Sequence, residues 1–152
     1  MNSDMQGIVG RVARIRELAN AFIERELENR GLEGLQPAHG SVLAFLFGQH
    51  KPVPVKEIVE RVGRVKSTVT GMVNTLERHG YVRKTPSAED GRVVYVELTK
   101  KGDALRADFD AISETLLDAV YGNMPHRERQ MLVQLLSRVE GNLRENTGQE
   151  PE

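Results

Sequence analysis

Apolar positions along the chain form a series of helical stripes, interrupted once by a stretch of alternation. From about Met5 to Arg30, the residues Ile8, Val12, Ile15, Ala19 and Phe22 recur at spacings of three and four, which predicts a helix. Leu18, Ile23 and Leu27 widen its apolar stripe enough for burial on more than one side, and Gly31 and Gly34 stop it. Pro37 suits the first turn of a second helix, ending near Phe47, with Val42, Leu43, Leu46 and Phe47 as its core face. Gly48 and the segment Pro52-Val53-Pro54 close that helix. A short third helix from Val55 to Val62 turns Val55, Ile58, Val59 and Val62 inward, and Gly63 permits a sharp turn after it. The fourth helix, Lys66 to about His79, takes Val65, Val69, Met72, Val73 and Leu76 as its buried stripe and Gly80 as its C-cap.

The period then changes from helical to alternating. Tyr81 to Thr85 and Arg92 to Leu98 are predicted strands, with Val94, Val96 and Leu98 on one face. The polar connection from Pro86 to Gly91 carries an Asp-Gly turn signal, and Pro86 is tolerated at a strand end, where its missing N–H matters less. Thr99 is a candidate N-cap for a long helix from Lys100 to about Val120, with Leu105, Phe109, Ile112, Leu116 and Val120 as its stripe. Pro125 can open a last helix to about Glu145, with Met131, Leu132, Leu135, Leu136, Val139 and Leu143 on its apolar face. The polar tail after Asn146, residues 147–152, is expected to be disordered. The expected architecture is mainly α with a small β-hairpin wing. Within Val55 to Thr99, two short helices followed by a basic two-stranded hairpin are the parts of a helix-turn-helix with a wing, a unit that lays one helix in a DNA groove.

Charge sharpens this picture. The net charge of −1 conceals an asymmetry: residues 61–106 hold ten Lys/Arg against five Asp/Glu, and the remainder holds eleven against seventeen. A positive patch on an otherwise acidic chain is an electrostatic footprint for phosphates. The outward face of the fourth helix carries Lys66, Ser67, Thr68, Thr70, Gly71 and Asn74, all short or basic, so its backbone can approach a ligand surface closely.

Composition excludes other classes. With no cysteine, a disulfide framework, a thiolate zinc site and a thiol redox sensor are ruled out. No apolar run is long enough to span a bilayer, and the start of the chain, interrupted by Arg11 and Arg14, lacks a signal-peptide core, so no membrane partner and a cytoplasmic location are expected. The four histidines, His39, His50, His79 and His126, form no pair at helical ligand spacing, so no metal or cofactor is expected; His39 suits a helix-end hydrogen bond. No Gly-rich phosphate loop, nucleophile motif or catalytic carboxylate pair is visible, which argues against an enzyme.

Four segments in this order and spacing are specific: Lys66-Ser67-Thr68-Val69-Thr70; Leu76-Glu77-Arg78-His79-Gly80-Tyr81-Val82-Arg83; Asp90-Gly91-Arg92; and Leu98-Thr99-Lys100-Lys101-Gly102. In them the chain resembles the MarR (multiple antibiotic resistance regulator) family, from about Leu35 to Leu143. The resemblance implies a winged helix-turn-helix lobe (35–100) and a helical dimerisation lobe built from both chain termini (1–34 and 101–146). It also implies a homodimer that binds a pseudo-palindromic operator in double-stranded DNA, usually as a repressor. In many relatives a small phenolic or anionic effector releases the DNA. Three departures stand out: Val65 where relatives often place a capping Ser or Thr, Gly71 where many carry a longer polar or basic residue, and the missing cysteines.

Each residue then receives an expected role. Ser67, Thr68, Thr70 and Asn74 would reach base edges or phosphates in the major groove. Arg64, Lys66, Arg83 and Lys84 would neutralise backbone phosphates. Arg92 at the wing tip suits the narrow minor groove of A·T-rich DNA, and Asp90 would orient it or another arginine through a charge-assisted hydrogen bond. A winged helix can instead dock a protein, or the helical lobe can carry a small molecule without any DNA; the polar, basic outer face argues against the first, since protein interfaces favour apolar, aromatic centres.

Overall fold

The computed structural model describes residues 7–148. The expected helix start at Met5 and the end of the expected tail, 149–152, lie outside the described residues. The chain divides into two compact units, Met1–Leu116 and Leu117–Glu152.

In the first unit, α1 runs from Ile8 to Asn29 and ends in a turn through Gly31, whose φ of +67° suits glycine. A 3₁₀ turn, Pro37–His39, leads into α2, Gly40–Phe47. The expected second helix thus differs in its first turn, which is a tight 3₁₀ turn rather than α-helix. A reciprocal cap closes it, in which the Gln36 N–H donates to His39 Nδ1 at 3.0 Å. His39 therefore plays the helix-end role that its position suggests. A two-residue strand, β1 (Val53–Pro54), precedes α3 (Val55–Val62) and α4 (Lys66–Arg78). Then come β2 (Val82–Pro86), β3 (Val94–Leu98), the single turn α5 (Lys100–Asp103) and α6 (Leu105–Tyr121).

The sheet has three antiparallel strands, not the two of the expected hairpin, in the order β1-β3-β2. Val53 pairs with Val96, so the segment that stops the second helix also supplies an edge strand. Two residues, one of them a proline, carry no readable alternation, and Pro54 is tolerated because β1 is an edge. The expected helix from Lys100 is interrupted at Ala104, just after Gly102 packs against the main chain of Tyr81.

The core of this unit is aliphatic. Val42, Leu43 and Leu46 of α2, Ile58 of α3, Val69, Val73 and Leu76 of α4 and Val96 of β3 are almost fully buried, joined by Leu27, Leu105 and Ile112 from the flanking helices. Phe47 and Phe109 meet edge to face at 5.5 Å, and Arg30 at the end of α1 pairs with Asp108 at 3.1 Å.

The second unit holds the end of α6 and α7, His126–Thr147. The helix continues to Thr147, one residue into the expected tail, and stops at Gly148, which caps it with φ +68°. No residue of α7 is buried, and Met131, Leu135, Leu136, Val139 and Leu143 are all exposed. No helix among the described residues is long and apolar enough to cross a membrane.

Candidate nucleic-acid interface

The turn between α3 and α4 is set by Gly63, whose φ of +65° is open to glycine and costly for other residues. Its N–H closes α3 on Val59 O at 3.1 Å. Arg64 and Val65 follow in the turn, and α4 starts at Lys66. Helical periodicity sends Val69, Met72, Val73 and Leu76 into the core. The same periodicity leaves Lys66, Ser67, Thr68, Thr70, Gly71 and Asn74 exposed on the other side. Val65, expected in the buried stripe, lies outside it at 69% exposed, because it is the N-cap in extended conformation and the helical phase begins one residue later.

The C-terminal end of α4 is fastened. Lys101 Nζ donates to His79 O at 2.7 Å and sits 4.6 Å from the Tyr81 ring centroid, placing a cation on the negative end of the helix dipole. Thr99 Oγ1 donates to Gly80 O at 2.5 Å and accepts the Gly102 N–H at 3.1 Å, so one hydroxyl joins the end of α4 to the start of α5. Tyr81 OH donates to Glu33 O at 2.9 Å. His39 lies buried nearby, and burial, then the neighbouring His79, hold its imidazole below the ordinary pKa.

The wing tip is stiffened by side chains. Ser87 Oγ accepts the N–H groups of Glu89 and Asp90, both at 3.3 Å. Asp90 Oδ1 accepts the Arg92 main-chain N–H at 3.0 Å. The expected pairing of Asp90 with the arginine side chain is therefore corrected. A short carboxylate two residues before an N–H closes an Asx turn, and that local bond is the one made. Asp90 still shapes the wing, through the backbone.

The fold brings Lys66, Thr70, Asn74, Lys84 and Arg92 to one groove of about 440 Å³ between α4 and the wing. Its apolar floor includes Val55, Val59, Val73 and Val94; Lys56, missed by sequence reasoning, adds a fourth cation, and no carboxylate lines it. Lys84 Nζ donates to Asn74 Oδ1 at 2.6 Å and lies 3.4 Å from Glu77 Oε1, while its main-chain N–H donates to Glu77 Oε2 at 3.0 Å. Glu77 thus clamps the wing to α4, a role its place three residues after Asn74 on one helix face hints at. Arg83 is not part of the groove. It faces Glu97 across the ladder and donates through Nε at 3.1 Å, because the pleat turns successive side chains to opposite sides. Arg64, Ser67 and Thr68 are exposed around the first turn of α4, outside the groove. Among the described residues, no three His, Cys, Asp or Glu side chains gather as metal ligands.

Comparison with known proteins agrees with this geometry. Residues 37–94 match the family model described as the MarR family. The HTH-type transcriptional repressor YetL of Bacillus subtilis is 31% identical over 105 residues, 68% of this chain and 62% of YetL. The HTH-type transcriptional repressor MdtR of the same organism is 38% identical over 77 residues, 51% of this chain and 49% of MdtR. The chain therefore spans less than two thirds of either relative. In fold it is similar to a MarR-like transcription regulator from Bacillus cereus, with a TM-score of 0.77 at 22% identity over 93% of this chain and 99% of that one. It is also similar to Staphylococcus aureus MepR in its complex with DNA, with a TM-score of 0.78 at 18% identity over 88% and 96% of the two chains.

Proposed function

We propose, from the match of residues 37–94 to the MarR family model, that the chain is a sequence-specific DNA-binding transcriptional regulator of that family, acting in the cytoplasm as a repressor. The observation that carries the reading is the groove shared by α4 and the wing. Four cations rim it, with Lys84 paired to Glu77 and Lys56 to Glu60 while Lys66 and Arg92 make no ion pair among the described residues, and a row of hydroxyls and one amide continues along the exposed face of α4. Such a surface suits phosphates and base edges. In this reading residues 35–100 are the DNA-binding lobe. Lys66, Lys84 and Arg64 neutralise phosphates, Ser67, Thr68, Thr70 and Asn74 work in the major groove, and Arg92 works in the minor groove.

The regulator acts as a homodimer through 1–34 and 101–146. Ile8, Val12, Ile15 and Leu18 on α1, and Met131, Leu135, Leu136 and Leu143 on α7, are exposed in the single chain. Apolar surface on that scale marks an interface, and a two-fold dimer presents two recognition helices to successive major grooves about 34 Å apart. A small-molecule effector then lowers affinity by preferring a dimer with the wrong helix separation. The structural relative BpsR, described as regulated in DNA binding by 6-hydroxynicotinic acid, supports that class of control.

The test is selection of duplexes from a random pool, followed by titration at two salt concentrations. The expected operator is an inverted repeat, with log K falling by roughly 0.9 per neutralised phosphate for each unit of log salt. Arg92→Ala weakens binding. Weak affinity that ignores both salt and Arg92→Ala refutes the reading.

A further inference from the structure

Val65 breaks two rules at once. Among the described residues from 19 to 116, only Val65 and Tyr95 are large hydrophobics that stand exposed, and Val65 is 69% exposed against 36% for Tyr95. It also holds the N-cap of α4, where a Ser, Thr, Asp or Asn would bond an unpaired N–H of the first turn; valine makes no such bond. Both features count against the isolated chain. Local violations of this kind collect where a site serves something outside the fold.

The surroundings narrow what that something is. Arg64, Lys66, Ser67 and Thr68 are all exposed beside it, so Val65 is an isolated apolar spot in a polar, cationic field. A protein or lipid partner would require contiguous apolar surface. The partner must instead be polar and anionic with a small hydrophobic group set into it. DNA meets that description at thymine, whose C5-methyl projects into the major groove among hydrogen-bonding edges. The N-terminal residues of a recognition helix are the ones that approach those edges.

We infer that Val65 is a specificity-determining residue that packs on a pyrimidine C5-methyl, selecting thymine at one symmetric position in each half of the bound duplex. The inference rests on the DNA-binding reading above. Burial of one methyl corresponds to about a fourfold change in affinity per half-site, and about fifteenfold when both halves are altered.

The experiment replaces each symmetric pair of thymines in a selected duplex by deoxyuridine, which removes the methyl and keeps every hydrogen-bonding group. Dissociation constants are measured by fluorescence anisotropy for the wild type, Val65→Ser and Val65→Ala. The expected result is one position where the wild type weakens about fifteenfold on losing the methyls. Both variants there bind thymine and deoxyuridine alike, and Val65→Ser, a better cap, stays at least as resistant to urea as the wild type. If the wild type binds with steep salt dependence but distinguishes no thymine from deoxyuridine, this inference falls and the regulator reading stands. If discrimination persists in both variants, another residue reads the methyl and the inference is again overturned. Complete loss of binding by both variants overturns it too, since one methyl contact contributes only a few-fold. If the wild type binds no duplex, the regulator reading falls and takes the inference with it.

Discussion

Gly102 offers the sharpest physical test of how α4 is held. It is buried in the single turn α5, and a methyl group built on its Cα would lie 1.9 Å from the Tyr81 carbonyl oxygen and 2.9 Å from the carbonyl carbon. Both are main-chain atoms, so no side chain can swing aside. Restoring ordinary contact requires a displacement of roughly 1 Å or more, and overpacking of this kind costs about 1–3 kcal/mol. The carbonyl also accepts the Thr99 N–H at 3.1 Å, a bond worth about 1 kcal/mol that the same shift would stretch. Against this, replacing a helical glycine by alanine gains up to about 1 kcal/mol. The expected net loss for Gly102→Ala is about 2 kcal/mol. With a urea m-value near 2 kcal/mol/M, the midpoint falls by about 1 M at matched protein concentration. Gly71→Ala is the control. It lies in α4, where an added methyl would meet nothing within 4 Å, so the same chemical change raises the midpoint. A Gly102→Ala midpoint at or above that of the wild type would refute the reasoning.

Other consequences are open to measurement. His39 is held below its ordinary pKa by burial and by His79, and its Nδ1 accepts the Gln36 N–H. Its contribution is therefore full above the unfolded pKa of about 6.5 and is lost as pH falls through the lower folded value. The urea midpoint should drop on acidification below about pH 6.5, and His39→Asn should flatten that drop; equal slopes for the two proteins count against the assignment. Glu77→Ala removes the acceptor for the Lys84 main-chain N–H and should cost about 0.5–1.5 kcal/mol by urea titration. No change in midpoint would mean water replaces the clamp. Leu136→Asp places a charge in the exposed apolar face of α7 and should shift sedimentation from dimer to monomer; an unaltered sedimentation coefficient removes that face from the interface.

Much of the molecule is legible in local patterns. Helical spacing of Val69, Met72, Val73 and Leu76 identifies α4 and the face it leaves outward. Gly63 and Gly80, with φ of +65° and +78°, sit where the pattern demands turns. Thr99 caps α5 as its hydroxyl predicts. Three residues depart from their expected places for reasons that can be named. Val65 lies one residue outside the helical phase. Arg83 parts from Lys84, since alternation from the buried Val82 sends the two to opposite sides. Asp90 takes a main-chain N–H that stands nearer than any charged partner.

Periodicity, capping and turn chemistry act over a few residues, so sequence alone determines the order of the main helices, the buried and outward faces of α4, and the basic hairpin after it. The tertiary structure decides what distant segments do to one another. It pairs Val53 with Val96 across 43 residues, clamps Lys84 to Glu77, fastens Lys101 to the end of α4 and gathers Lys56 beside Arg92. Such contacts depend on register, pleat parity and close main-chain approach. These are properties of the packed whole, because a shift of one residue or one ångström exchanges the partners while leaving every local preference satisfied.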